Sequence, residues 1–207
     1  MKTQHLKIVK FIIASFFLIS CNAQKKQNGM KPINRKIFIK KLDNNYLKKI
    51  NKENQKIQFT ETDSIIELED NGDYYFERRQ KNNEKIKKSF VYNKNTHLLV
   101  ATGTLLYDLP IGVHKIYNKK GELIREINYD KNFPFSIYDL IAKIKTTHQI
   151  DLNDIKENIS VMRDIDKETK KNIYVIFYNK KNDGSYKYIT VDGTTGQILS
   201  EGNGHSI

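Results

Sequence analysis

The one thiol of the chain, Cys21, follows directly on Leu18-Ile19-Ser20, and as a thiolate it would be the strongest nucleophile this composition offers. The five histidines, His5, His97, His114, His148 and His205, have no i, i+4 partner and no neighbouring cysteine. That spacing is what would aim two ligands at one metal, so no metal ligand is nominated. Glu67/Glu69 and Asp164/Asp166 alternate along strand-like segments, which puts each pair of carboxylates on one face, as a general acid and base would need. No glycine-rich loop, nucleophile elbow or third catalytic partner accompanies them. They read as solvated strand faces. Ser136 reads as a helix cap, and Gly193 with Gly196 closes a hairpin instead of opening a phosphate-binding helix. No catalytic residue and no cofactor follows from these patterns.

The tyrosines carry a different argument. Tyr74, Tyr92, Tyr107, Tyr117 and Tyr129 recur through the middle of the chain. Strand alternation would send some of them outward as a flat aromatic surface suited to a protein or a glycan.

The elements that must hold these residues are mostly strands. Val100 to Asp130 reads as two strands and a turn: Gly103 opens an apolar run, Pro110 and Gly112 punctuate it, and Asn118-Lys119-Lys120-Gly121 turns it back. Tyr92 to Leu99 aligns with Tyr117 to Ile124 at an offset of 25, and Leu68 to Tyr75 lies 24 residues before the first of these. A polar turn between apolar residues at such a period describes hairpins that bury their apolar faces by adding neighbours. Asn71-Gly72 is a strong hairpin signal. Upstream, Asp43 caps a short helix with Tyr46, Leu47 and Ile50 on one face. Beyond Asp130, Phe133-Pro134-Phe135 ends the repeats, and Ser136 with Asp139 starts a helix whose stripe is Ile137, Leu140, Ile141 and Ile144, ending near Gln149. Strands follow at Ile159 to Met162, Ile173 to Tyr178 and Tyr186 to Val191, closed by the turn at Asp192, whose carboxylate can bond turn amides. The expected class is α+β: antiparallel hairpins forming a sheet over residues 35–130, then a helix packed on a small antiparallel sheet over 131–207.

At the N-terminus, Lys2, Lys7 and Lys10 precede the apolar run Phe11 to Ile19, too short to span a bilayer as a mature helix. Residues 1–20 read as a secretion signal, and the polar, lysine-rich residues 21–34 as a flexible tether. The formal charge of +12 loses three lysines with the signal and becomes +9. A basic protein attracts acidic head groups or acidic glycans, although the lysines are scattered among acids and also read as a solvated surface. Nucleic acid is not an expected partner, and no small-molecule substrate is evident.

Leu18-Ile19-Ser20-Cys21 resembles the lipobox of bacterial lipoproteins. The resemblance implies cleavage before Cys21, a diacylglyceryl thioether on its sulfur and an acylated amine, giving the several chains that stable anchoring needs. Asn22, and the absence of an acidic cluster after it, resemble lipoproteins of the outer membrane facing the periplasm. Gly103 to Tyr107, Pro110-Ile111-Gly112, Tyr117 to Leu123 and Ile127-Asn128-Tyr129 resemble the MORN-like repeats of the YwqK-type antitoxin family, with His114 where that family commonly has an aromatic residue. The closing turn Val191 to Leu199 resembles that of PepSY-like domains, over about Phe135 to Glu201. Together these imply a non-catalytic, membrane-anchored envelope lipoprotein that binds or regulates another envelope protein. The repeat resemblance also allows an immunity protein that neutralises one toxin.

Overall fold

The computed structural model describes residues 40–50, 55–154, 158–179 and 183–205. Cys21, the segments read as signal and tether, and the apolar run Ile37-Phe38-Ile39, which also reads as a strand, lie outside the described residues. Described in chain order are α1 (Asn44–Leu47), β1 (Lys56–Glu61), β2 (Ser64–Asp70), β3 (Tyr74–Lys81), β4 (Ile86–Asn93), β5 (Leu99–Leu106), β6 (Leu109–Tyr117), β7 (Leu123–Asn128), α2 (Ile137–His148), β8 (Ser160–Ile165), β9 (Asn172–Tyr178), β10 (Ser185–Asp192) and β11 (Ile198–His205). Strands β1 to β7 form a seven-stranded sheet in chain order, and β8 to β11 a four-stranded sheet ordered β11-β10-β9-β8. All the pairings are antiparallel.

The three segments that recur at 24 to 25 residues are the turns β2–β3, β4–β5 and β6–β7. Each lies two strands on from the last, so all three fall at one end of the sheet. Their chemistry is local. The Gly72 N–H donates to Asp70 Oδ1 at 3.1 Å, Asn93 Oδ1 accepts from the amides of Asn95 and Thr96, and Asn118, 25 residues later, accepts from those of Lys120 and Glu122. Val100 to Asp130 makes three strands instead of the expected two, because Tyr107-Asp108 is a two-residue turn between β5 and β6. Pro110 and Gly112 thus lie inside β6. Gly112 has φ +68 where the register with β5 shifts, its N–H donating to Asp130 Oδ2 at 3.0 Å.

Alternation sorts the sheet into two unlike faces. Ile57, Leu68, Glu77 and Phe90 align across β1 to β4, as do Phe59, Ile66, Arg79 and Lys88 one step along. The buried hydrophobic residues of this sheet, Ile66, Leu68, Tyr75, Tyr92, Leu99, Leu106 and Ile111, all share that side. At the β4–β5 connection the chain before α1 meets the sheet through an isolated bridge between Lys41 and Leu98. Asp43 caps α1 by accepting from the Asn45 N–H at 2.7 Å, and Leu42 and Tyr46 are buried in one cluster with Ile66, Leu68, Tyr75, Tyr92 and Leu99. Burying each such side chain contributes roughly 1.5–3 kcal/mol.

A second cluster combines Leu106 and Ile111 of the large sheet, Ile137, Leu140 and Ile144 of α2, and Val161, Tyr174, Ile176, Ile189 and Val191 of the small sheet. Ser136 and Asp139 form a reciprocal capping box at the start of α2, and Gln149 at φ +57 ends it. Strand β8 runs on to Ile165, past the expected Met162. From β8, Arg163 reaches the large sheet: it donates to the carbonyls of Pro110 at 3.2 Å and Tyr129 at 3.0 Å, and to Asp130 Oδ1 at 2.7 Å. Its guanidinium lies 4.4 Å from the centre of the Phe133 ring. In the closing turn, Asp192 Oδ1 accepts from the amides of Thr194 and Thr195, and Gly193 O accepts from the Phe135 N–H.

Candidate binding cleft

The other face of the seven-stranded sheet carries the alternate residues: the row of Phe76, Val91, Ala101 and Ile116 is half-buried and apolar, and the two rows beside it are mainly polar. Gln58, Glu67, Arg78, Ser89 and Gly103 form one cross-strand row, and Thr60, Ile65, Gln80, Lys87 and Leu105 the next. None of these ten is buried. Charges interlock along the first row: Lys56 Nζ lies 3.1 Å from Glu67, and Arg78 bonds Glu67 at 2.5 Å and Glu69 at 2.9 Å. The acidic pair Glu67/Glu69 thus shares one guanidinium. Burial alone would raise the carboxyl of Glu67, but Arg78 and Lys56 outweigh it and hold Glu67 below the usual range, so it stands as an acceptor at neutral pH.

Where the two rows meet the β3–β4 and β5–β6 turns, the face closes into a cleft of about 380 Å³, lined by Gln58, Ile65, Glu67, Arg78, Gln80, Lys85, Lys87, Tyr107 and Asp108. Its end wall is tied to the loop after α2. Tyr107 donates from its hydroxyl to Leu152 O at 2.6 Å, and the Lys85 N–H donates to Asn153 Oδ1 at 2.7 Å. Lys85 Nζ stands 5.2 Å from the centre of the Tyr107 ring. Among the described residues, no hydrogen bond or ion pair holds the side chains of Gln58, Gln80, Lys87 or Asp108. The volume falls in the small-ligand range, but the lining is far more polar than is usual for such sites. The arrangement offers amides, cations and carboxylates for recognition, with no group positioned as an activated nucleophile.

The five nominated tyrosines divide between the faces. Tyr74 lies on the polar face, in register with Asn93 beside Phe76. Tyr107 lines the cleft, and Tyr129 meets His114 edge to face, ring centres 4.6 Å apart. Tyr92 is a correction to the outward surface: it is fully buried, and its hydroxyl donates to Glu77 Oε2 at 2.9 Å. Tyr117 packs against the same apolar cluster as Tyr92. Parity is the physical reason, because Tyr74 and Tyr75, like Val91 and Tyr92, are adjacent and must face opposite ways.

The remaining nominated polar residues have local partners. Asp164 accepts from the Ile165 N–H, and Asp166 from the N–H and hydroxyl of Thr169. His97 contacts the Tyr75 ring, and His148 lies 3.1 Å from Glu201. His114, 5% exposed, covers Gly103. Among the described residues no group of three His, Cys, Asp or Glu is arranged to hold a metal ion.

Two features escaped the sequence reading. One is the cleft, whose residues come from four strands and two turns. The other is a buried polar network on the core face: Glu77, 1% exposed, is held by Arg79 Nε and the Tyr92 hydroxyl. Nearby Tyr46 donates to Glu61 at 2.5 Å, and burial together with that carboxylate pushes its hydroxyl up to about 12. The signal for this network was Glu77-x-Arg79, two charges on the parity of Tyr75. No family model matches the chain, and neither a curated protein nor a solved structure matches it.

Proposed function

We propose that this chain is a non-catalytic envelope lipoprotein, anchored through Cys21 at the outer membrane on its periplasmic side, whose seven-stranded sheet meets a binding partner. On this reading α2 lies over the small sheet and closes the fold, and the large sheet presents its polar face. One observation carries the proposal: every buried hydrophobic residue of the large sheet lies on one side, which leaves the other face of its seven strands with a polar cleft and no buried apolar residue among those described. A monomeric fold needs only one such face covered, so the other is available to a partner.

The test is site-specific photocrosslinking in cells, with the crosslinking residue at Ser89 on the polar face or at Ala142 on the exposed side of α2. A specific adduct from the Ser89 position alone, lost when Cys21→Ser removes the anchor, supports the proposal. Equal adducts from both positions, or none from either, overturn it. Robust turnover by the purified chain would overturn its non-catalytic part. The regular return of hairpin turns every 24 to 25 residues favours a second reading, the immunity protein, which predicts a one-to-one complex with a toxin encoded beside this chain.

A further inference from the structure

The cleft's chemistry narrows its ligand. Its walls bring together three cations, Arg78, Lys85 and Lys87, and two carboxylates, Glu67 and Asp108. Arg78 is already engaged by Glu67 and Glu69, whereas Lys85 and Lys87 have no ion-pair partner among the described residues. Two ammonium groups without a carboxylate partner, Lys85 meeting only the Tyr107 ring, call for an anion. The two carboxylates bound its charge: lining with a net charge of +1 matches one negative charge and disfavours a doubly charged phosphate. Gln58 and Gln80 each present an amide donor and an acceptor, and Asp108 adds an acceptor. Such groups pair with hydroxyls, which both give and receive hydrogen bonds. Ile65 and Tyr107 are the main apolar contributions to the wall, enough for one face of a sugar ring and too little for an apolar ligand.

We infer that the cleft binds a saccharide bearing a carboxylate, a hexuronate or a comparable sugar acid, with Lys85 and Lys87 taking the carboxylate and Gln58, Gln80 and Asp108 taking the hydroxyls. This rests on the polar face being the binding face, and it names the ligand class of that face. The volume of about 380 Å³ limits the recognised unit to one or two sugars of a longer chain.

Calorimetry on the purified chain decides it, with trimers of galacturonate, glucuronate and mannuronate as probes and a neutral galactose trimer and inorganic phosphate as controls. At least one hexuronate trimer should bind at least ten-fold more tightly than either control. Lys87→Gln and Lys85→Gln should each weaken that binding ten-fold or more and leave the neutral trimer unaffected, while Gln58→Ala should weaken both sugars, all with unchanged melting temperature. Equal binding of the neutral trimer, equal binding of phosphate, indifference to both lysine substitutions, or no hexuronate binding at millimolar concentration overturns the inference. If hexuronates fail while the Ser89 photocrosslink persists, the ligand class falls and the binding face stands. If both fail, both fall.

Discussion

Arg163→Met should uncouple the two sheets at a cost that follows from its contacts. Arg163 is 10% exposed and donates to the Pro110 and Tyr129 carbonyls and to Asp130, while stacking over Phe133. Methionine keeps the stem's packing and removes the donors together. Two carbonyls lose a partner, each costing about 1 kcal/mol or more where water cannot reach, and Asp130 loses its counter-ion. Breaking a buried ion pair costs about 3–5 kcal/mol, but Asp130 is 31% exposed and water will replace part of the loss. The sum is about 3–5 kcal/mol. For a domain of this size that lowers Tm by roughly 6–20 °C. Urea unfolding followed by circular dichroism measures it, and tyrosine fluorescence provides a second probe in a chain without tryptophan. Asp130→Asn, which keeps an acceptor for the Gly112 N–H, should cost less, and the double variant should cost less than the two single changes added, with a coupling of about 1–3 kcal/mol. If Arg163→Met costs under about 1 kcal/mol, or the double variant is strictly additive, the guanidinium does not join the sheets.

Asp192 predicts an acid sensitivity. Burial would raise its carboxyl, but the amides of Thr194 and Thr195 and the Lys171 ammonium outweigh that and lower it. The folded value lies below the unfolded one, so its stabilisation is complete above about pH 4 and is lost as pH falls through the folded value. Asp192→Ala should therefore cost about 1–2 kcal/mol at pH 7 and much less at pH 2.5, measured as urea midpoints. His114 works at a higher pH: burial lowers its imidazole against the raising effects of the Thr104 and Ile111 backbone and Asp130, so stability should decline as pH falls below about 6.5, and His114→Phe should flatten that part of the curve. Gly103→Ala would place a methyl 2.4 Å from the His114 ring and should cost about 1–3 kcal/mol, while Tyr92→Phe, leaving buried Glu77 short of a donor, should cost about 1–3 kcal/mol by thermal melt.

The sequence alone determined what neighbouring residues decide between themselves. The turns at Asn71-Gly72, Asn93 and Asn118, the Ser136–Asp139 capping box and the Asp192 turn all close within four residues, so their side chains and amides meet whatever the rest of the chain does. The misreading of Val100 to Asp130 has the same origin: Tyr107-Asp108 carries no glycine or asparagine, and Tyr107 takes a left-handed backbone that its type does not announce. Tertiary structure decided which side of each strand faces inward. In β3 both parities hold aromatic and charged residues, Tyr74, Phe76 and Arg78 on one, Tyr75, Glu77 and Arg79 on the other, so alternation alone cannot choose. Only the covering layer chose, when α1 and Leu42 buried Tyr75 and Tyr92. The same holds for the cleft, whose parts run from Gln58 to Asp108, and for Arg163 and Asp130, 33 positions apart. Such groups meet through register and packing, which depend on every strand between them.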